Sequence, residues 1–306
     1  MLFTIAIPCY NNVNSIQESI ESAINQHYSE AYEILVVNNN SSDGTDKVIE
    51  KYLSVENFRC IKNSETVSMW GNHNICLDNA NGEYLIFCHS DDTLLPSCLD
   101  ILSQKVKSRK FPKKYVCWGR SRFRDYYNNW NAGNLLLNQS YSGNPVLNGL
   151  QIGGITPSGV CFSRESFAKF GFLETNHRLA PSDMISLWKL CMNDFKFEMI
   201  DNELFIREFA STAANINRKV IYESIEVAVN TFWKSLTNLE KKRWASYVKK
   251  SNIIWPITYR AIYSAGIISR FTLFKKLVLQ WFTPEKRFFL WAKKDYLNLL
   301  ICTLKP

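Results

Sequence analysis

The sequence predicts an α/β protein, a mostly parallel central sheet flanked by helices, with a helical C-terminal extension. Short apolar runs of strand length alternate with stretches at helical spacing through the first hundred residues. That order implies right-handed β-α-β crossovers. Two adjacent carboxylates, Asp91 and Asp92, directly follow one of the apolar runs. They stand at the carboxyl end of a buried strand, where open α/β sheets bind ligands. Beyond residue 217 the chain turns basic and aromatic.

Each element has its own signal. Phe3 to Ile7 is a strand that Pro8 ends, and Cys9 to Asn12 turns into a helix capped by Asn14 or Ser15. Ile16, Ile20, Ala23 and Ile24 give that helix one apolar face. Glu33 to Val37 forms a second strand, and the polar loop Asn38 to Thr45 leads into a helix over 45–53. Phe58 to Ile61 is a third strand, Met69 to Ala80 a helix, and Glu83 to Phe87 the strand that delivers the carboxylates. Pro96 suits the first turn of the next helix. On that placement Asp91 and Asp92 could instead simply open that helix, where its dipole favours acids.

After Pro112 come a strand at Tyr115 to Trp118, a loop or hairpin rich in Arg, Tyr, Trp and Asn over 120–134, and a turn cluster from Gly153 to Gly159. Val160 to Phe162 is a strand, and Ser163 caps a helix running to Phe170. Met184 to Asn193 is a further helix, followed by two closing strands, Phe195 to Ile200 and Glu203 to Phe209. The remainder reads as helical.

Composition narrows the function classes. The chain has 306 residues, 46% of them hydrophobic, which suits a large α/β domain with an appendage and excludes disorder. Nine cysteines with no CxxC spacing indicate neither a zinc site nor a disulfide framework, and read as reduced thiols. No apolar run reaches the 18 residues of a membrane span and no basic-flanked leader is present, so a cytoplasmic protein is expected. Of the formal net charge of +8, residues 218–306 supply +12 and the front part −4. The expected division is therefore 1–217 and 218–306, with an anionic surface as partner of the second part.

Ile7-Pro8-Cys9-Tyr10-Asn11, Ser19 to Gln26, Ile34 to Thr45, Asn74 with Ala80 to Tyr84, His89-Ser90-Asp91-Asp92, Gly171 to Glu174, and Ser182-Asp183 with Leu187-Trp188 follow one another in an order that resembles family 2 glycosyltransferases of the GT-A fold. Ile7-Pro8-Cys9-Tyr10-Asn11 is similar to that family's opening P-x-Y-N, and Ser22 to Gln26 to the S-x-x-x-Q that ends its first helix. Ile34 to Thr45 is similar to its second strand and polar loop. Asn74 with Ala80-Asn81-Gly82-Glu83-Tyr84 resembles the approach to its D-x-D-D motif, whose place is taken by His89-Ser90-Asp91-Asp92. Gly171 to Glu174, then Ser182-Asp183 and Leu187-Trp188, resemble its later G-x-F-D/E and E-D-x-D-L-W segments.

The resemblance implies a Rossmann-like nucleotide-sugar domain that moves a sugar, with inversion, from a nucleotide-diphosphate donor to a glycan or polyprenyl-linked acceptor. It implies a role in bacterial O-antigen or capsule synthesis. Pro8, Tyr10 and Asn38 then lie against the base and ribose, with Asp91 and Asp92 on the donor side. Asp91 and His89 are the implied metal ligands, and Asp183 the implied catalytic base. Three positions depart from the pattern: Asn38 and His89 where the family carries Asp, and Ser182 where it carries an acid. An imidazole ligand favours Mn²⁺ over Mg²⁺. The rival reading is a domain with an impaired metal site that binds a nucleotide or glycan without turnover.

Other roles stay open from sequence. Asp183 also stands where a helix N-cap would, Tyr10 could be packing beneath a loop, and Asp43 reads as a cap of the second helix. His73 reads as a surface or loop histidine, and Cys9 and Cys88 as small buried residues. In the C-terminal region Phe271, Phe274, Trp281 and Phe282 recur at helical spacing beside Lys275 and Lys276. That pattern fits a helix lying in an anionic membrane interface, peripheral at the inner face of the plasma membrane, or one packed on the catalytic domain. No nucleic-acid recognition motif accompanies the charge.

Overall fold

A computed structural model of the chain describes residues 1–123, 139–141, 158–175, 182–208, 227, 231–232 and 234–243. Four strands, β1 (Phe3–Cys9), β2 (Tyr32–Asn38), β3 (Phe58–Lys62) and β4 (Tyr84–Phe87), alternate with helices α1 (Ile16–Ile24), α2 (Thr45–Glu50) and α3 (Met69–Asn79). Then come β5 (Thr93–Leu94), α4 (Cys98–Ser108), β6 (Tyr115–Phe123), β7 (Ser140–Tyr141) and β8 (Val160–Ser163). Helices α5 (Arg164–Ala168) and α6 (Ser182–Met192) lead to β9 (Lys196–Arg207).

The strands make one sheet in the order β3-β2-β1-β4-β8-β6-β9-β5, with β7 also on β9. The half formed by β3, β2, β1 and β4 is parallel throughout. The other half is mixed: β8 runs against both neighbours, while β6 and β9 are parallel.

The central strands read as continuous apolar runs because both of their faces are covered. Ala6, Leu35, Val37, Leu85 and Phe87 join a core with Trp70, Phe167 and Trp188 from the helices on one side. Ile5, Ile7, Ile34, Val36 and Ile86 join a second core with Ile16, Ile20, Leu99 and Leu102 on the other. All are buried. Two polar residues also serve the sheet. Buried Glu33 accepts from Thr4 Oγ1, Arg59 and Asn81, and so ties β1, β2 and the approach to β4 together.

Several boundaries differ from the sequence reading, each for a physical reason. Pro8 lies inside β1 rather than ending it. Pairing with β4 stops at Ala6, so the missing N–H of Pro8 falls where β1 has a partner on one side only. Pro96 precedes the first turn of α4, whose N-cap is Ser97, because Thr93 and Leu94 are held as β5 against β9. Asp91 and Asp92 therefore belong to a loop between strands and do not open a helix. The two closing strands are one, β9, and a bulge opposite Trp118 to Ser121 absorbs the turn-like pair Asp201-Asn202. Ser163 precedes α5 without capping it; its hydroxyl accepts from the Tyr115 N–H instead.

The expected division after residue 217 lies outside the described residues, as do Phe209 and the stretch around Phe271 and Trp281 for which a helix at a membrane interface is expected. Part of the basic region is described, and it packs on the sheet domain. The Phe232 ring meets Trp188 edge-on at 5.9 Å, and Asn193 Nδ2 donates to Glu240 at 3.2 Å. Among the described residues no helix is long and apolar enough to cross a membrane.

Candidate active site

At the carboxyl ends of β1 and β2 the loops 10–13 and 38–45 are stitched into one platform. The Asn39 N–H donates to Cys9 O, Asn11 N–H to Ser41 Oγ, Asn12 N–H to Thr45 Oγ1, and Val13 N–H to Asp43 Oδ2. Asn11 and Asn40 adopt positive φ of 54° and 57°, a conformation that asparagine tolerates better than most side chains. Pro8 and Asn38 are both buried in this platform, Asn38 accepting from the Ser41 N–H at 3.0 Å. Tyr10 is 47% exposed at its edge, so it is not packing beneath a loop. Asp43 sits one residue before the Gly44 N-cap and accepts from both the N–H and hydroxyl of Thr45.

Past β4, residues 88–92 form a loop held from three sides. Ser19 of α1 donates its hydroxyl to Asp92 O at 2.7 Å, the Glu208 N–H donates to Asp92 Oδ1 at 3.0 Å, and the His89 N–H donates to Ser158 Oγ at 2.8 Å. Ser90 Oγ donates to Asn12 Oδ1 at 2.7 Å, joining this loop to the platform. Within it, one ligand atom each of His89, Asp91 and Asp92 lie within 4.8 Å of one another. Burial raises the Asp92 carboxyl above its ordinary range; nearby His89 opposes the shift and Asp91 adds to it. Two carboxylates and an imidazole fit a divalent metal ion. Cys9 and Cys88 are buried thiols, pushed well above their usual range by loss of water.

His73 is a correction. It is 4% exposed, not a surface or loop residue, and its Nε2 is 3.1 Å from His89 Nε2. Burial pushes its imidazole down to about 3, and facing His89 adds to the shift. The signal was hard to see because α3 buries Trp70, Gly71, Asn72 and His73 in succession, so no polar stripe marks a surface.

On the other side of the site, residues 171–174 connect α3 to α6. Asn74 accepts from the Phe172 N–H and donates to Phe172 O, Ser68 Oγ donates to Glu174, and the Leu173 N–H donates to Ser186 Oγ of α6. Gly171 turns the chain there with φ 63°, and a Cβ on it would come within 2.9 Å of Asn74 Oδ1. Asp183 is the second residue of α6, in its first turn and half-buried, and so lies inside the helix rather than at its cap.

The model of the family described as Glycosyl transferase family 2 matches residues 4–171, more than half of the chain. The chain belongs to glycosyl transferase family 2. It is a glycosyltransferase, and the matched residues take in the platform and the 88–92 loop and end at Gly171. A Campylobacter jejuni protein named GalNAc(5)-diNAcBac-PP-undecaprenol beta-1,3-glucosyltransferase is 32% identical over 112 residues, 34% of this chain and 34% of that protein. The match thus spans about a third of that relative's length. Among solved structures, S. aureus TarS 1–349 has a TM-score of 0.59 at 15% identity, over 98% of this chain and 90% of that one. The Pyrobaculum calidifontis mannosyltransferase PcManGT, in complex with GDP-Man and Mn²⁺, has a TM-score of 0.57 at 15% identity, over 99% of this chain and 86% of that one. At these identities the likeness shows the fold, which is GT-A.

The glycosyltransferase brings His89, Asp91 and Asp92 together, and sets Pro8 and Asn38 on adjacent strands, where Pro8 pairs with Val37 and Cys9 with Asn38. Asp183 lies past the matched residues, on α6, which the 171–174 segment links to α3 through Leu173 and Ser186. Residues missed from the sequence are the loop's anchors: Ser19, Ser158 and the backbone of Glu208. Ser158 carried one usable sign, its neighbour Gly159. That residue has φ 69°, and a Cβ on it would meet the Phe205 ring at 2.2 Å.

Proposed function

We propose that this glycosyltransferase moves one sugar from a nucleoside diphosphate donor to a hydroxyl of a glycan or polyprenyl-linked acceptor, with inversion, in bacterial surface-polysaccharide synthesis such as O-antigen or capsule. The observation that carries the reading is the convergence of His89, Asp91 and Asp92 beside the 10–13 and 38–45 platform. In the reaction the acceptor oxygen attacks the anomeric carbon, the bond from that carbon to the diphosphate breaks, and the acceptor proton passes to the Asp183 carboxylate. Pro8, Tyr10 and Asn38 hold the base and ribose. The Asn38 carbonyl already accepts from Ser41, which leaves its amide N–H groups to meet acceptors on the base.

Asp91, His89 and Asp92 would hold a divalent ion, with Mn²⁺ favoured over Mg²⁺ because one donor is an imidazole nitrogen. Such an ion, when bound, neutralises charge on the departing diphosphate. The polyprenyl-linked acceptor is supported by the name of the Campylobacter relative, and the metal by the Mn²⁺ bound to the Pyrobaculum neighbour.

Thermal melting tests the donor and metal reading together. UDP-, GDP- or dTDP-sugar with Mn²⁺ at about 100 times its Kd stabilises the wild type by roughly 2.7 kcal/mol. Asp91→Ala is expected to lose most of that shift. Equal shifts in both proteins remove Asp91 from the site. The rival reading, binding without turnover, rests on His89 standing in place of an acid. A wild type that shows the shift but transfers no sugar to any lipid-linked or glycan acceptor would favour it.

Location follows from the acceptor. The basic, Phe- and Trp-bearing C-terminal region suits peripheral contact with the inner face of the plasma membrane. The full chain is expected to sediment with anionic vesicles, with high salt releasing much of it but not all, since apolar burial is not screened. Replacing Lys275, Lys276, Lys293 and Lys294 by Gln in the full chain weakens that binding. Unchanged sedimentation places the membrane surface elsewhere.

A further inference from the structure

We infer that His73 is a positioning residue that fixes the tautomer of His89, so that His89 presents the Nδ1 lone pair, and not Nε2, to the carboxylate pair. The inference rests on the metal reading above and goes beyond it, because it assigns a residue outside the implied ligand set.

The argument is one of donors and acceptors. His73 Nδ1 is 2.8 Å from the Met69 carbonyl oxygen, which can only accept. His73 Nδ1 therefore carries the hydrogen, and the Nε2 of the neutral ring is a bare acceptor. That acceptor is 3.1 Å from His89 Nε2. Two nitrogens so close need one hydrogen between them, and it must come from His89. In the neutral ring that ligates a metal, His89 is thus the Nε2–H tautomer, with its lone pair on Nδ1. Nδ1 is the atom that faces Asp92, 3.7 Å from Oδ2, too long for an N–H···O bond.

The His73 ring has little freedom to lose this geometry. Trp70, Phe87 and Phe172 surround it, with ring centroids at 5.0, 5.2 and 5.5 Å. Helix α3 supplies the carbonyl, the aromatic box supplies the orientation, and the 88–92 loop supplies the ligand. This is the outer-shell arrangement in which a ligating histidine uses its second nitrogen to bind a protein partner. Here the partner is another histidine acting as acceptor.

The chain has four histidines, so their ring nitrogens can be separated by long-range ¹H–¹⁵N correlation on the full labelled protein. Metal-free wild type is expected to show His73 as the Nδ1–H form and His89 as the Nε2–H form. His73→Phe keeps an aromatic ring but removes the acceptor. The His89 pattern should then move to a mixture of tautomers, and Mn²⁺ affinity, read from the free-ion EPR signal with UDP present, should fall by about 10–100-fold. His73→Gln restores an acceptor oxygen and should recover much of both. If His73→Phe does not fold, the wild-type spectrum and His73→Gln still decide the matter.

A His89 Nδ1–H form in wild type overturns the inference while leaving the metal reading standing. So does unchanged Mn²⁺ affinity in folded His73→Phe. Correct tautomers in a wild type that binds no Mn²⁺ overturn the metal reading, and the positioning role with it.

Discussion

Asp183→Asn is expected to lower glycosyl transfer by about 10²–10⁴-fold, the usual contribution of a general base. The amide keeps the size of the side chain but cannot take the proton that the acceptor hydroxyl loses. The melting temperature should barely move. Asp183 lies in the first turn of α6, where its charge is worth about 0.3–1 kcal/mol against the helix dipole. Donor binding should also be unchanged, because the base serves the acceptor. Transfer rates and thermal melting on one preparation separate the two roles. Full activity in the Asn variant ends the base assignment and turns attention to Glu174, which accepts from Ser68 on the connecting segment.

The second large effect concerns stability. Glu198 of β9 is fully buried and accepts from Arg109 Nε and Nη2, Lys105 Nζ, the Tyr115 hydroxyl and Ser140 Oγ. Removing the carboxylate in Glu198→Ala leaves the buried Tyr115 hydroxyl without its acceptor and the part-exposed Arg109 and Lys105 to water, which is expected to cost about 1–3 kcal/mol in denaturant unfolding.

The same network sets a pH dependence. Burial raises the Glu198 carboxyl, and donation from Arg109, Tyr115 and Lys105 more than reverses it, leaving the group at about 2 against an ordinary value of 4.5. A carboxyl depressed on folding adds stability above its unfolded value. That stability is lost as pH falls from 4.5 through about 2. Wild type should therefore lose stability over this window more steeply than Glu198→Gln, as measured by denaturant unfolding at several pH values. Parallel curves would show that the network is not the acid-sensitive element.

The parallel half of the fold was readable because its strands are buried on both faces and its helices are amphipathic. Ile5, Ile34 and Ile86 announce themselves by hydrophobicity alone, and the position of Asp91 and Asp92 follows from the strand before them. Beyond residue 115 the same rules carried less. Asp201 and Asn202 look like a turn and lie in a bulge, because what keeps β9 continuous is the partner strand β6, which local sequence does not report. Thr93 and Leu94 are a strand only by virtue of pairing with Ile206 and Phe205. At the candidate site, the motif pointed to His89, Asp91 and Asp92 but not to the residues that support their loop. A serine on α1 and a histidine on α3 become second partners of the 88–92 loop through contacts 73 and 16 residues apart in sequence. His73 was misread because a buried, hydrogen-bonded histidine has the same letter as an exposed one.

The three anchors of the 88–92 loop also bear on when the site comes into being during synthesis. Every strand of the parallel half has left the ribosome once residue 87 is out, and that half can begin to condense from its N-terminal end. The loop itself is still incomplete, since Ser158 and the Glu208 backbone have yet to be translated. A nascent chain of that length has Ser19 alone of the three anchors. Among the described residues β9 is the last strand; it pairs with β6, and the Glu208 N–H just past it donates to Asp92 Oδ1. The β9–β6 pairing and the third anchor of the 88–92 loop thus become available together, and a chain truncated before residue 208 would have the 10–13 and 38–45 platform but only two of the three anchors of that loop.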